Sequence, residues 1–225
     1  MSSLKSAAAN VLTLRDVVAL APIFSVWRNS KARLMPVHLM SAPGTGKTMI
    51  PRVIAEHMAR SNPGQAVGMG VTNPGLKDPA GVAGFNLFAD VDGIKTAVNT
   101  RPDIFRLAYA VVYAPDSIDA DESGFVYVTT SSSGASLFPG SEISYHDATG
   151  KLVQARVLRG VILLDEFMQA DPEVRKVLAP LLDEGRVGDH MLPPDFLVML
   201  ASNRAQDKSG VGKGLFFIRS EEHTS

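Results

Sequence analysis

Two short segments constrain the fold of this chain more than any other feature, because each follows apolar residues and ends in polar ones. Residues 41–48 read Ser-Ala-Pro-Gly-Thr-Gly-Lys-Thr after the run 35–40, and residues 161–166 read Val-Ile-Leu-Leu-Asp-Glu. A glycine-rich turn between a strand and a helix offers backbone N–H groups and the positive helix end to an anion. Polar residues that follow buried parallel strands gather at the carboxyl edge of the sheet, where α/β proteins bind ligands. We therefore expect the two segments to meet at one anion-binding edge.

The first segment predicts a site for the phosphates of a nucleotide. Its spacing matches the motif G-x-x-x-x-G-K-[ST] except at Ser41, which replaces the first glycine. In that motif the lysine reaches the outer phosphates and the next hydroxyl contacts magnesium, which assigns these roles to Lys47 and Thr48. The predicted nucleotide-binding residues of the loop are Pro43, Gly44, Thr45, Gly46, Lys47 and Thr48. A chance match in an ordinary loop is the competing interpretation, but the strand and helix that flank the loop argue against it.

The second segment predicts the acidic half of the same site. Asp165 is assigned to magnesium and the nucleotide, and Glu166 to polarising the attacking water, since phosphoryl transfer depends on positioned groups and charge neutralisation. Solvated carboxylates at a strand end are the alternative. Asn203 follows the next apolar run and could orient the same water, although a turn-forming asparagine explains it equally well. Arg204 is a weaker candidate for a phosphate or intersubunit contact.

The composition excludes several other classes of protein. Its 22 Lys and Arg residues nearly balance 23 Asp and Glu residues, so no overall basic field favours a nucleic-acid partner. The chain has no cysteine, which excludes disulfides and is typical of a reducing compartment, so we expect a cytoplasmic protein. The apolar stretch 17–27 is shorter than the roughly 20 residues that span a bilayer. We therefore expect no membrane partner.

Local patterns predict strands that alternate with helices. The predicted helices are 14–29 with a bend at Pro22, a segment with apolar residues from Ile50 to Met58, and a helix from Asp171-Pro172 to Gly185 kinked at Pro180. The predicted strands are 35–40, 65–71, 161–164 and 196–201. This alternation indicates a doubly wound, mostly parallel α/β sheet.

The predicted organisation has three parts. Residues 1–33 form an N-terminal helical segment, and residues 34–218 form the nucleotide-binding α/β domain. Within that domain, residues 85–160 are rich in β-forming residues and turn signals, which we interpret as a β-rich insertion between the two halves of the site.

Further segments strengthen the nucleotide interpretation. They read Leu-Leu-Asp-Glu-Phe-Met-Gln-Ala-Asp-Pro-Glu-Val, Leu-Leu-Asp-Glu-Gly-Arg-Val-Gly-Asp, Leu-Pro-Pro-Asp-Phe and Ala-Ser-Asn-Arg. With the glycine-rich loop, they resemble the MoxR-type branch of the AAA+ ATPases, which are P-loop NTPases. The resemblance covers roughly residues 34–213 and is poor in the middle apart from residues 78–84. It implies Walker A roles for Lys47 and Thr48, Walker B roles for Asp165 and Glu166, and a sensor role for Asn203.

The resemblance also implies an activity and partners. Proteins of this family are magnesium-dependent ATP hydrolases of the chaperone type, which remodel or assemble protein clients and are often paired with a von Willebrand A-type adaptor. They form rings, usually hexamers, in which a neighbour donates an arginine to the phosphate. A hairpin at residues 185–194 would precede the sensor strand. A helical lid would follow the sheet beyond Ile218, so we expect it to be absent from this chain.

Residues 219–225 read Arg-Ser-Glu-Glu-His-Thr-Ser, which looks like the translation of a sequencing-library adapter. A genuine polar tail is the alternative. We exclude these residues, including Arg219, from the functional argument.

Two other functions are compatible with the same residues. One is a nucleotide-gated binding module, in which residues 85–160 dock a partner and hydrolysis is slow or absent. The other is a P-loop nucleic-acid motor, although no basic stripe interleaved with aromatic residues appears. The chain contains no Asn-Lys-x-Asp tetrapeptide, which favours adenine over guanine.

Overall fold

The computed structural model of the chain describes residues 14–41, 44, 46–77, 79–84, 86–91, 94–99, 101–203 and 216–218. Three predicted functional positions, Pro43, Thr45 and Arg204, lie outside the described residues, as does the tail at residues 219–225.

A seven-stranded mixed sheet forms the centre of the fold. Its strands are, in spatial order, β13 (Phe216–Ile218), β1 (Val37–Ser41), β12 (Asp195–Asn203), β9 (Arg159–Leu164), β2 (Val67–Thr72), β5 (Tyr109–Tyr113) and β6 (Phe125–Val128). The four strands β1, β12, β9 and β2 are parallel to one another. Strands β13, β5 and β6 join at the two sides in antiparallel pairs. The four parallel strands therefore present their carboxyl ends at one edge.

The two central strands are covered on both faces, as their apolar sequences predict. In β9, Ile162 and Leu164 pack against one layer of the core, and Val161 and Leu163 pack against the other. Strand β12 is buried from Phe196 to Ser202 in the same alternating way. Continuous apolar runs of this kind are typical of parallel strands enclosed between helices.

Helices lie on both faces of the sheet. The helices α1 (Leu14–Ala19), α2 (Ala21–Phe24) and α3 (Ile50–Arg60) contribute to one hydrophobic cluster, and α4 (Pro79–Ala83) and α5 (Pro172–Glu184) contribute to the other. The result is a three-layer α/β arrangement, compatible with a Rossmann-like fold. No helix in the described part of the chain is long and apolar enough to cross a membrane.

The prediction of a helix over residues 14–29 is wrong in its extent. The chain breaks at Leu20, and the second short helix ends at Phe24. Pro22 lies in the first turn of α2, where a missing N–H costs nothing, rather than at a bend within a longer helix. The Ser25 hydroxyl donates to the carbonyl of Pro22 at 2.8 Å, just past the helix end.

The predicted ends of α5 agree with the structure. The Asp171 carboxylate accepts a hydrogen bond from the backbone N–H of Glu173 at 2.8 Å, as an N-cap does. Gly185 has a φ of 66° and ends the helix in the left-handed conformation that glycine favours. Pro180 lies inside the helix, which continues through it.

Residues 85–160 are rich in strands, as predicted, but their distribution differs from a separate excursion. The strands β3 (Asn86–Val91) and β4 (Ile94–Asn99) form one hairpin, and β7 (Glu142–His146) and β8 (Leu152–Arg156) form another. Strands β5 and β6 instead extend the central sheet. A further short hairpin, β10 (Arg186–Val187) and β11 (His190–Met191), lies where the family resemblance implies one.

Two glycines allow an especially close approach between β2 and β9. Gly68 and Gly160 are register partners in this parallel pair. A Cβ atom on Gly160 would lie 2.3 Å from the carbonyl oxygen of Gly68, and one on Gly68 would lie 2.6 Å from the Leu107 side chain, so neither position leaves room for a side chain.

Candidate functional site

A cavity of about 190 Å³ lies at the carboxyl edge of the parallel strands. Its lining comes from three separate segments of the chain and consists of Gly44, Gly46, Lys47, Thr48, Asp165, Glu166 and Asn203. These are all of the predicted site residues that the structure describes. The loop after β1, the end of β9 and the end of β12 meet here because the strands are parallel and adjacent.

The glycines of the loop are required by backbone conformation. Gly44 has a φ of 73° and Gly46 has a φ of 82°, both in the left-handed region. A Cβ atom on Gly44 would meet nothing within 4 Å, so conformation rather than space demands glycine there. Gly46 directly precedes the 3₁₀ turn Lys47–Met49, which leads into α3. The loop thus directs the helical N-terminus at the cavity.

Lys47 connects the loop to the neighbouring strand β12. Its side chain is only 8 % exposed, and its Nζ donates to the Asn203 side-chain oxygen at 2.8 Å. The same Nζ lies 3.5 Å from the carbonyl oxygen of Ser202. A buried ammonium group must have polar partners, because desolvation of an unpaired charge is costly. In the structure, strand β12 provides two of them.

The acidic pair lies at the point where β9 ends. The backbone N–H of Asp165 donates to the Thr72 carbonyl at 2.8 Å, which holds this point against β2. The Asp165 side chain accepts a hydrogen bond from the backbone N–H of Glu166 at 2.9 Å. Glu166 itself has a φ of 54°, a left-handed conformation that costs a non-glycine residue roughly 1–2 kcal/mol. Such conformations persist where the surroundings hold them and cluster at functional sites.

Asn73 is the residue that sequence reasoning missed. Its side-chain amide donates to the Glu166 carboxylate at 2.7 Å, and its side-chain oxygen accepts from the backbone N–H of Gly75 at 2.9 Å. The sequence Asn73-Pro74-Gly75 predicts a turn, and the contact of the Asn73 side-chain oxygen with Gly75 agrees with it. The contact of the side-chain amide with Glu166 is not predicted by the turn. The missed signal is that Asn73 directly follows β2, a strand parallel to β9 and beside it, so its side chain reaches the same edge.

The donor set suits a hard cation that takes most of its ligands from elsewhere. Among the described residues, no cluster of three or more His, Asp or Glu side chains could hold a metal alone. The cavity instead combines the Thr48 hydroxyl and the Asp165 carboxylate. Magnesium is usually bound by one or two protein oxygens together with waters and substrate phosphates, which these two side chains fit.

Two other cavities contain none of the predicted residues. One, of about 310 Å³, borders Asn73 and is lined partly by Lys77, Asp103 and Arg106. The other is a larger, open groove of about 960 Å³ beside β7 and β8, lined largely by serines together with Arg101 and Arg156. If volume alone were the criterion, the groove would be the candidate site. The convergence of a buried lysine with two carboxylates marks the smaller cavity as the candidate site.

No protein-family model, curated protein sequence or solved structure matches the chain.

Proposed function

We propose that this protein binds ATP at the cavity formed by Gly44, Lys47, Asp165 and their neighbours, and that it hydrolyses the bound nucleotide. The observation that carries the proposal is the convergence of a left-handed glycine loop, a buried lysine and an acidic pair in one cavity of about 190 Å³. Backbone amides and a lysine suit phosphate oxygens, and carboxylates suit a metal ion and a water molecule.

The size of the cavity indicates which part of the nucleotide it would hold. Sites that enclose a whole small molecule usually measure about 300–1,000 Å³. A cavity of about 190 Å³ fits the triphosphate tail, so the base and ribose would extend beyond it. The proposal therefore assigns affinity mainly to the loop and Lys47, and leaves recognition of the base to other parts of the chain.

Each charged residue has a distinct role in the proposed reaction. Lys47 would exchange its contact with Asn203 for the outer phosphates and neutralise part of their charge. Glu166 would orient and polarise the water that attacks the terminal phosphate. Asn203, released by Lys47, would hydrogen-bond the same water or the phosphate itself. These groups act by position and charge, which is what phosphoryl transfer mainly requires.

Magnesium would be held by Thr48 and Asp165, with the remaining ligands from phosphate and water. When bound, it would supply charge neutralisation at the phosphate oxygens. Asp165 already accepts the backbone N–H of Glu166, so one side chain would both hold the metal and fix the start of the next turn.

The broader proposal is an AAA+ ATPase of MoxR type that forms a ring and acts on a protein client. Two features support this proposal. Strand β12, which carries Asn203, lies between β1 and β9 and so between the two halves of the site. The short hairpin β10–β11 directly precedes that strand. The ring, the client and a von Willebrand A-type adaptor are expectations of the same proposal.

One contact favours the second candidate, a nucleotide-gated binding module. The Asn73 amide already occupies one oxygen of Glu166, which leaves that oxygen less available to a water molecule. A protein held in this state would bind ATP and release little phosphate until a partner moved Asn73. The two candidates share the binding site and differ in turnover.

Replacing Glu166 by Gln tests the proposed role of the carboxylate. The change keeps the size of the side chain and removes its charge, so we expect ATP affinity to be retained. We expect turnover to fall by about 10²–10⁴, the usual contribution of a positioned general base. Isothermal titration with ATP and magnesium, together with a phosphate-release assay, measures both quantities.

Glu173→Gln is the matched control, because Glu173 is an exposed residue in the first turn of α5 and lies outside the cavity. Unchanged turnover in Glu166→Gln would contradict the catalytic assignment. ATP binding without phosphate release from the wild type would favour the gated module. A wild-type protein that does not bind ATP would overturn both candidates.

A further inference from the structure

A buried serine connects three parts of the candidate site. Ser202, on β12, is only 1 % exposed. Its carbonyl oxygen lies 3.5 Å from the Lys47 Nζ, and its hydroxyl accepts a hydrogen bond from the backbone N–H of Met168 at 3.3 Å. Met168 belongs to the 3₁₀ turn Phe167–Gln169, which starts directly after Glu166. One residue therefore contacts both the lysine and the turn that follows the acidic pair.

His38 completes this arrangement from the neighbouring strand β1. Its Nε2 lies 3.0 Å from the Ser202 Oγ. His38 is the register partner of Leu200, so Ser202 is its diagonal neighbour on the same face of the sheet, within reach of a long side chain. The half-buried ring of His38 is not part of the cavity lining, and the proposed reaction gives it no role.

The other hydrogen bond of the Ser202 hydroxyl indicates which of the two side chains donates in the contact with His38. The Ser202 oxygen accepts from Met168, and its own O–H then needs an acceptor. A neutral imidazole with its proton on Nδ1 offers the Nε2 lone pair at the correct distance. Burial lowers the pKa of His38, which favours this neutral form.

We propose that His38 and Ser202 form a positioning pair for the candidate site, in which His38 accepts the Ser202 hydroxyl and so fixes the turn behind Glu166. The left-handed backbone of Glu166 is unfavourable by itself and has to be held by its surroundings. Ser202 holds the turn that follows, two residues after Glu166. Loss of the pair loosens Glu166 without removing any group that contacts the phosphates directly.

Three variants test the pair: Ser202→Ala, His38→Leu and His38→Gln. Ser202→Ala and His38→Leu remove the hydroxyl or its acceptor, and we expect kcat to fall about tenfold while the Kd for ATP stays within about threefold. His38→Gln keeps an oxygen acceptor at similar reach, so we expect kcat within about twofold of wild type. This split between kcat and affinity, with rescue by glutamine, would not result from a general loss of stability.

Long-range ¹H–¹⁵N NMR of the histidine rings gives a readout that is independent of turnover. We expect the His38 ring to be the Nδ1–H tautomer in the wild type and to lose this preference in Ser202→Ala. Wild-type kcat in both Ser202→Ala and His38→Leu would overturn the inference, as would an Nε2–H tautomer. Equal losses in His38→Leu and His38→Gln would reduce His38 to a packing role and overturn it as well.

The inference rests on the proposed function, and the same measurements distinguish a failure of the positioning pair from a failure of the proposed function. A wild-type protein that neither binds nor hydrolyses ATP would overturn both. A wild-type protein that hydrolyses ATP, with Ser202→Ala and His38→Leu unaffected, would overturn the positioning pair alone.

Discussion

The parallel and antiparallel parts of the sheet differ in where they place their polar groups. In the parallel part, β1, β12 and β9 are mostly apolar, and Lys47, Asn203 and the acidic pair lie at or beyond their carboxyl ends. In the antiparallel part, β5 and β6 run in opposite directions, so their carboxyl ends lie at opposite edges of the sheet. Parallel pairing thus concentrates chemistry at one edge, and antiparallel pairing distributes it.

The polar contacts of the antiparallel part support packing instead. The Tyr127 hydroxyl donates to the Glu56 carboxylate at 2.9 Å, which attaches β6 to α3. The guanidinium of Arg60 lies 5.0 Å from the ring centroids of both Tyr113 and Phe125. Burial raises the pKa of Tyr109 to about 12, which keeps its hydroxyl neutral at physiological pH. The contacts of Glu56 and Arg60 thus attach the antiparallel edge of the sheet to α3.

The largest expected loss of stability comes from adding a methyl group between β2 and β9. Gly160→Ala places a Cβ 2.3 Å from the Gly68 carbonyl oxygen, and we expect the free energy of unfolding to fall by about 3 kcal/mol or more. Gly134→Ala is the matched control in a loop with nothing within 4 Å, where only the φ of 77° is unfavourable, so we expect about 1 kcal/mol. Urea unfolding measures both. Equal losses would mean that the close approach is not a constraint.

Nucleotide affinity gives the next largest effect. Lys47→Met removes the buried ammonium group, and we expect the Kd for ATP to rise about 10–100-fold, since a hydrogen bond to a charged group contributes about 1.5–3 kcal/mol. Lys151→Met, an exposed lysine between β7 and β8, should leave the Kd unchanged. Isothermal titration compares the two variants. An equal effect of both would remove the distinction between the two parts of the molecule.

Asn73 lies where β2 meets the candidate site, and its replacement is expected to change ATP turnover. Asn73→Ala removes the amide that holds the Glu166 carboxylate, so we expect basal ATP turnover to rise about three- to tenfold with little change in affinity. Asn62→Ala is the control, because the Asn62 side chain donates to the Met58 carbonyl just after α3 and is not part of the cavity lining. A phosphate-release assay shows whether basal turnover rises or falls. Lower turnover in Asn73→Ala would show that Asn73 supports Glu166 and would remove the argument for a gated state.

The smallest effect is expected in the antiparallel part at low pH. The backbone N–H of His146 donates to Asp119 and is the largest cause of a pKa below the ordinary 3.8 for that carboxyl. A lowered folded-state pKa stabilises the protein above pH 3.8, and this contribution is lost as the pH falls through the folded-state value. We expect Asp119→Asn to lower the unfolding midpoint slightly at neutral pH and to converge with wild type well below pH 3.8.

Asp116→Asn, at an exposed position nearby, is the control for that measurement. Thermal unfolding from neutral to acidic pH provides the comparison. A difference between Asp119→Asn and wild type that grows as the pH falls would contradict the sign.

Features that depend on local sequence were predictable. The buried strand 161–164 and the capped helix that follows it are indicated by an uninterrupted apolar run, an Asp-Pro start and a glycine stop. The cavity lining was also predictable in its members, because Lys47, Asp165 and Asn203 each follow an apolar strand. Parallel pairing then brings such strand ends to one edge.

Features that depend on distant partners were not predictable in the same way. Nothing within Tyr109–Tyr113 or Phe125–Val128 indicates that β5 pairs with β2, and β6 with β5, rather than with the hairpins around them. The extent of the N-terminal helix was overestimated, because helical spacing continues past the point where the chain turns at Ser25. Asn73 was interpreted only as a turn residue, since its second hydrogen bond joins residues 93 positions apart.

The register of β12 has a consequence for how this chain can change in length. Met40 pairs with Ser202 and Ser41 pairs with Asn203, and successive residues of a strand point to opposite faces. Deleting any one residue between Asp195 and Asn203 would exchange the faces of the last two positions, so neither would meet its partner. The loop at residues 133–136 is exposed and belongs to no strand, so a change of its length would not exchange the faces of a strand. Tolerance to insertion and deletion should therefore be high in that loop and absent in β12.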